Sequence, residues 1–125
     1  MATGTATATV NDVDSGQKYF TCYGTISISA GTDTYATGGL ALTFVNLPPS
    51  SAAPKAVYIQ SQKSPNSGWT YAYNPGATPS QTSGKLQVFG GGAAANAAQS
   101  ELAAAQALTT EATDVIFFEA KFQKL

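Results

Sequence analysis

The sequence predicts an all-β, single-domain β-sandwich or jelly roll carrying an extended N-terminal arm, and three observations predict it. Apolar residues recur at every second position in six separate segments, the period of a half-buried strand. Clusters of turn-forming residues separate those segments: Gly31-Thr32-Asp33, Gly38-Gly39, Pro48-Pro49-Ser50-Ser51, Ser64-Pro65-Asn66-Ser67-Gly68 and Asn74-Pro75-Gly76. A length of 125 residues, 43% of them hydrophobic, suits one domain that buries about 65% of its unfolded surface. Residues 1–18 form the arm and 19–125 the sandwich domain.

The elements follow in chain order. From Ala2 to Val10 threonine alternates with small residues, so Thr3, Thr5, Thr7 and Thr9 share one face. Thr favours strands, yet this stretch offers little apolar burial of its own. It is expected either to add an edge strand to its own sheet or to lie on another subunit, and strand addition favours the second. Residues 20–30 place Cys22, Ile26 and Ile28 on one face and Tyr23, Thr25, Ser27 and Ser29 on the other. Residues 40–45 bring Leu40, Leu42 and Phe44 together, and 56–61 turn Val57 and Ile59 inward. Residues 68–73 put Trp69, Tyr71 and Tyr73 on one face; 85–89 pair Leu86 with Val88. Residues 90–113 break the alternation. Gly90-Gly91-Gly92 is a hinge, and the Ala-rich stretch 93–108 is expected as a short helix or as a long loop with a short strand near Leu102. The last segment, 114–125, aligns Ile116, Phe118, Ala120 and Phe122 on its inner face. Its outer face carries Val115, Phe117, Glu119, Lys121 and Gln123.

Composition narrows the function. There is no histidine and no arginine. The side chain that titrates near neutral pH and the usual bidentate partner of phosphate are both missing. Charged residues make up 10%, with a formal net charge of −1, so copies repel one another weakly and pack readily. The lysines, scattered from Lys18 to Lys124, form no basic patch for nucleic acid. No apolar run approaches the roughly 20 residues that span a bilayer. The opening Met1-Ala2-Thr3-Gly4-Thr5-Ala6 lacks the basic and apolar regions of a secretory signal, so synthesis in a cytoplasm is the expectation. Cys22 is the single cysteine, so no intrachain disulfide can form, and with no histidine in the chain there is none to serve as the base that would activate it as a nucleophile.

No catalytic, cofactor or metal site is predicted. Asn11-Asp12-Val13-Asp14-Ser15-Gly16 has carboxylates at alternate positions before a glycine, as calcium loops do, but no glutamate follows at the required spacing, and it reads as a polar turn. None of the seven acids has an apolar neighbourhood that would raise its pKa for glycoside hydrolysis. Trp69, Tyr71 and Tyr73 are core, interface anchors or a sugar platform, and their hydroxyls make full burial of both tyrosines unfavourable. Phe117 stands on an otherwise polar face, where Val115 and Phe89 can join it in a subunit contact. The predicted protein contacts are therefore Thr3, Thr5, Thr7, Thr9 and Val10 on the arm, Tyr35 in the Tyr35–Gly39 loop, Trp69, Tyr71 and Tyr73, and Phe117.

Several segments taken together resemble a known family. These are Tyr35-Ala36-Thr37-Gly38-Gly39-Leu40, Ser67-Gly68-Trp69-Thr70-Tyr71-Ala72-Tyr73-Asn74-Pro75-Gly76, Gly84-Lys85-Leu86-Gln87-Val88-Phe89 and Ile116-Phe117-Phe118-Glu119-Ala120-Lys121-Phe122. Over residues 19–125 the chain resembles the capsid decoration (cement) proteins of tailed bacteriophages. The resemblance is one of strands and turns. It implies a jelly-roll or β-sandwich subunit, commonly trimeric, that sits on the outer capsid and clamps neighbouring major capsid proteins. The expectation is a non-enzymatic virion protein whose partners are the major capsid protein and its own copies, with neither nucleic acid nor membrane. Two alternatives stay open: a carbohydrate- or receptor-binding module of a tail or fibre, and another virion part such as a tail-tube or connector subunit.

Overall fold

Alternation this regular can only be buried on one side, so the strands must share one interior. The computed structural model shows how. It describes residues 3–29, 33–48, 53–61, 70–80, 83–90, 100–102, 104–106, 108 and 115–124. The strands are β1 (Thr5–Ser15), β2 (Tyr19–Ile28), β3 (Leu40–Val45), β4 (Ala56–Ser61), β5 (Thr70–Asn74), β6 (Lys85–Gly90), β7 (Ser100–Glu101) and β8 (Ile116–Gln123). They form one mixed sheet in the order β4-β8-β2-β1-β3-β6-β5, with β7 paired to β6. The sheet curls until β4 and β5 face each other across a gap lined by both, an all-β, barrel-like single domain. Among the described residues no ladder joins β4 to β5, and none is helical. The Ala-rich helix expected within 93–108 falls largely on residues outside the described set. The short strand expected near Leu102 is β7.

The interior is built from the alternation itself. Ala6, Ala8 and Val10 on β1, Cys22, Ile26 and Ile28 on β2, Leu40 and Leu42 on β3, Leu86 and Val88 on β6, and Ile116, Phe118, Ala120 and Phe122 on β8 are all buried. Phe20 stacks on Phe122 with ring centroids 5.6 Å apart, and Phe44 meets Phe122 edge-on at 5.4 Å. Phe20 and Phe122, both buried, each contribute about 2–3 kcal/mol by leaving water, and the half-buried Phe44 less.

The arm is corrected by this topology. It neither leaves the domain nor lies at an edge: β1 runs antiparallel to β2 on one side and parallel to β3 on the other. The small side chains that looked too weak to hold an arm are what the interior needs there, because Ala6 and Ala8 leave room for the larger side chains facing them. Two inner strands supply the main-chain bonds. A parallel pair needs a crossover. The link from β2 to β3 passes the start of β1, where Thr34 bridges Thr3 and the Gly4 N–H donates to the Thr34 carbonyl at 2.7 Å. Past Val10 the β1–β2 register shifts, a bulge that leaves Asn11 unpaired in the ladder. Gly24 sits opposite, and a Cβ there would run into the Thr9 carbonyl.

Candidate functional site

The crossover ends in a polar cluster that locks one end of the barrel. The Tyr35 N–H donates to the Gln106 carbonyl (2.9 Å), the Ala105 N–H to the Tyr35 carbonyl (2.8 Å), and the Leu108 N–H to the Asp33 carbonyl (3.0 Å). Tyr35 is thereby held inside, 2% exposed. Its hydroxyl donates to Glu101 Oε2 at 2.5 Å and accepts the Val88 N–H at 3.3 Å. The Gly38 N–H donates to the same carboxylate oxygen at 2.9 Å, and Asn74 Nδ2 donates to the Gly38 carbonyl at 3.0 Å. Burial and the bond to Glu101 raise the Tyr35 hydroxyl above its usual range. The Tyr35 bond holds the Glu101 carboxyl below its usual range despite burial, helped by Gly38 and Gln87. A carboxyl lowered in this way is a poor general acid, and the cluster reads as a structural clasp.

Two other surfaces face outward. The first spans β2, β1 and β3. Register places Ser27, Thr7 and Thr43 in one row and Thr25, Thr9 and Val45 in the next. Ser27 and Thr43 are exposed; Thr7, Thr9 and Thr25 are half-buried. These two rows carry five hydroxyls, one valine and no charge.

The second is a dish of ≈ 690 Å³ on the outer faces of β1, β2, β8 and β4. Register sets Asp12, Tyr23, Glu119 and Tyr58 side by side across the four strands. Phe117 and Gln60 form the adjoining pair, and Asn11 projects from the bulge at the rim. Tyr58 is 66% exposed and Phe117 44%. The nearest lysine on β8, Lys121, is drawn off to the Tyr19 ring, 6.0 Å from its centroid.

The structure sorts the predicted contacts. Thr3, Thr5, Thr7 and Thr9 do face outward, and Phe117 stands in the dish. Val10, Tyr35 and Tyr71 are corrected: all three side chains are buried within the chain and do not stand on its surface. Val10 completes the inward set of β1, and Tyr71, at 5% exposed, faces the core opposite Val88. Tyr73 is half-buried, and its hydroxyl, fully out of water against Gly84, has no hydrogen-bond partner among the described residues. Trp69 lies outside the described residues. Phe89 is on β6, which does not adjoin β8, so it cannot join Phe117.

Tyr58, Asp12, Tyr23 and Glu119 form a set that no local pattern in the sequence announces. The alternation that turned Val57 and Ile59 inward already turned Tyr58 outward, but only the strand order reveals its neighbours. The Asn11–Gly16 stretch is the end of β1 and its hairpin, closed by the Gly16 N–H on the Tyr19 carbonyl at 2.8 Å. Among the described residues no group of His, Cys, Asp and Glu is placed to hold a metal ion. Cys22 is fully buried, and desolvation pushes its thiol up to about 11. No helix among the described residues is long and apolar enough to cross a membrane. No family model, curated protein or solved structure matches the chain.

Proposed function

We propose that this chain is a non-catalytic virion structural protein that decorates the outer capsid and stabilises it by bridging neighbouring major capsid proteins, acting as a homotrimer. The observation that carries the reading is the uncharged, hydroxyl-rich face over β2, β1 and β3. Docking such a face desolvates no ion, which removes the largest cost of burying a surface. Its hydroxyls each donate and accept, so they suit a wet interface of direct and water-bridged hydrogen bonds. Individual contacts of that kind are weak. A trimer compensates, because its second and third contacts form at high effective concentration. Binding to the assembled shell and not to free subunits then stabilises the shell by mass action, about 2.7 kcal/mol at a hundredfold excess over Kd. The resemblance to capsid decoration proteins in the strand-and-turn segments points the same way and supplies the trimer.

Mass photometry of the purified protein, followed by cosedimentation with expanded capsid shells, tests this. A trimer that saturates shells at a symmetry-matched ratio supports it. Binding should fall at least tenfold in Thr43→Lys, which plants a charge in the middle of the face. A monomer with no affinity for shells overturns it, as does label found at the tail.

A further inference from the structure

The hydroxyl-rich face leaves the dish over β1, β2, β8 and β4 without a role, and its chemistry differs. We propose that the dish is a binding site for a neutral saccharide, a surface additional to the capsid contact.

Three properties of the dish argue for this ligand. First, its volume of ≈ 690 Å³ falls within the range of small-molecule sites. Second, acids and aromatics alternate along one row: Asp12, Tyr23, Glu119, Tyr58. Tyr23 and Tyr58 flank β8 and so stand two strand spacings apart, about 10 Å, room for sugar rings side by side. An aromatic face is negative and attracts the weakly positive C–H bonds on the flat side of a pyranose. Third, donors and acceptors are mixed. The carboxylates of Asp12 and Glu119 accept, whereas the amides of Asn11 and Gln60 and the tyrosine hydroxyls also donate. A sugar hydroxyl does both at once and matches such a lining. A lysine or arginine side chain offers donors only and would leave the amide and hydroxyl donors unused.

Charge sets the subclass. Two carboxylates and no lysine line the dish among the described residues, and Lys121 is engaged with Tyr19. Phosphorylated, sulfated, sialylated and uronic sugars are therefore disfavoured by like-charge repulsion. The site takes uncharged hexoses or N-acetylhexosamines.

The test is an array of neutral and anionic oligosaccharides probed with the whole protein, followed by titration of each hit by calorimetry. The expected result is saturable binding to one or more neutral oligosaccharides and none to their anionic counterparts. Tyr58→Ala and Glu119→Gln each weaken it at least tenfold. Both positions are exposed, so circular dichroism and the melting temperature should match wild type. Absence of neutral binding at millimolar ligand overturns the proposal. So does binding that survives both substitutions, or exclusive binding to a lysine-rich peptide run alongside. Cosedimentation of Tyr58→Ala with shells separates the two readings: it should bind shells as wild type does even where saccharide binding is lost.

Discussion

Two tyrosines on this fold should answer the same substitution with opposite signs. Tyr35→Phe deletes a hydroxyl that donates to Glu101 at 2.5 Å and accepts from Val88 at 3.3 Å. A hydrogen bond to a charged group is worth about 1.5–3 kcal/mol, and the Val88 N–H left behind adds a desolvation cost. The expected loss is about 3 kcal/mol, or about 10 °C in melting temperature for a domain of this size. Tyr73→Phe deletes a hydroxyl that is out of water and has no partner among the described residues. Removing an unsatisfied polar atom should raise stability by about 1 kcal/mol. Urea melts of the three proteins at pH 7 measure both effects. A pH series adds a second reading. The folded Glu101 carboxyl lies below its usual 4.5, chiefly through the Tyr35 bond. A depressed acid stabilises the fold above the unfolded pKa and loses that contribution as pH falls through the folded one. Wild type should therefore lose more than Tyr35→Phe below pH 4.5, and the gap between them should narrow. A Tyr35→Phe protein within about 0.5 kcal/mol of wild type at pH 7, or a Tyr73→Phe protein destabilised as much as Tyr35→Phe, would show that these hydroxyls do not carry the roles assigned to them.

Other substitutions probe the sheet and core. Gly24→Ala drives a methyl into the Thr9 carbonyl beside the bulge and should cost about 3 kcal/mol or more, read as a lower urea midpoint. Phe122→Ala empties the meeting point of Phe20 and Phe44; thermal melts should show a loss of about 3–5 kcal/mol. Cys22 should resist a thiol reagent at pH 8 in the folded protein and react at once in urea. Its raised pKa keeps the folded thiol neutral while the unfolded one ionises, so stability should decline as pH rises from 9.0 toward about 11.

Period two is legible in the residues alone. Leu40, Leu42 and Phe44, or Ile116, Phe118, Ala120 and Phe122, must share a face because successive strand side chains alternate, and the structure buries each set with at most one member half-covered. The spans 40–45 and 56–61 match β3 and β4 residue for residue, since turn residues bound them. Strand order is not local. Nothing in Ala6 or Ala8 announces that β1 runs between β2 and β3; small side chains look too weak to hold an arm until the larger ones around them are placed. Tyr35 is the same lesson in reverse. A tyrosine in a loop reads as a surface contact, and its burial is possible because Glu101, far along the chain, comes back to accept its hydrogen bond. The dish is wholly tertiary: Asp12, Tyr23, Glu119 and Tyr58 lie on four strands, and only the ladder register sets them in one row.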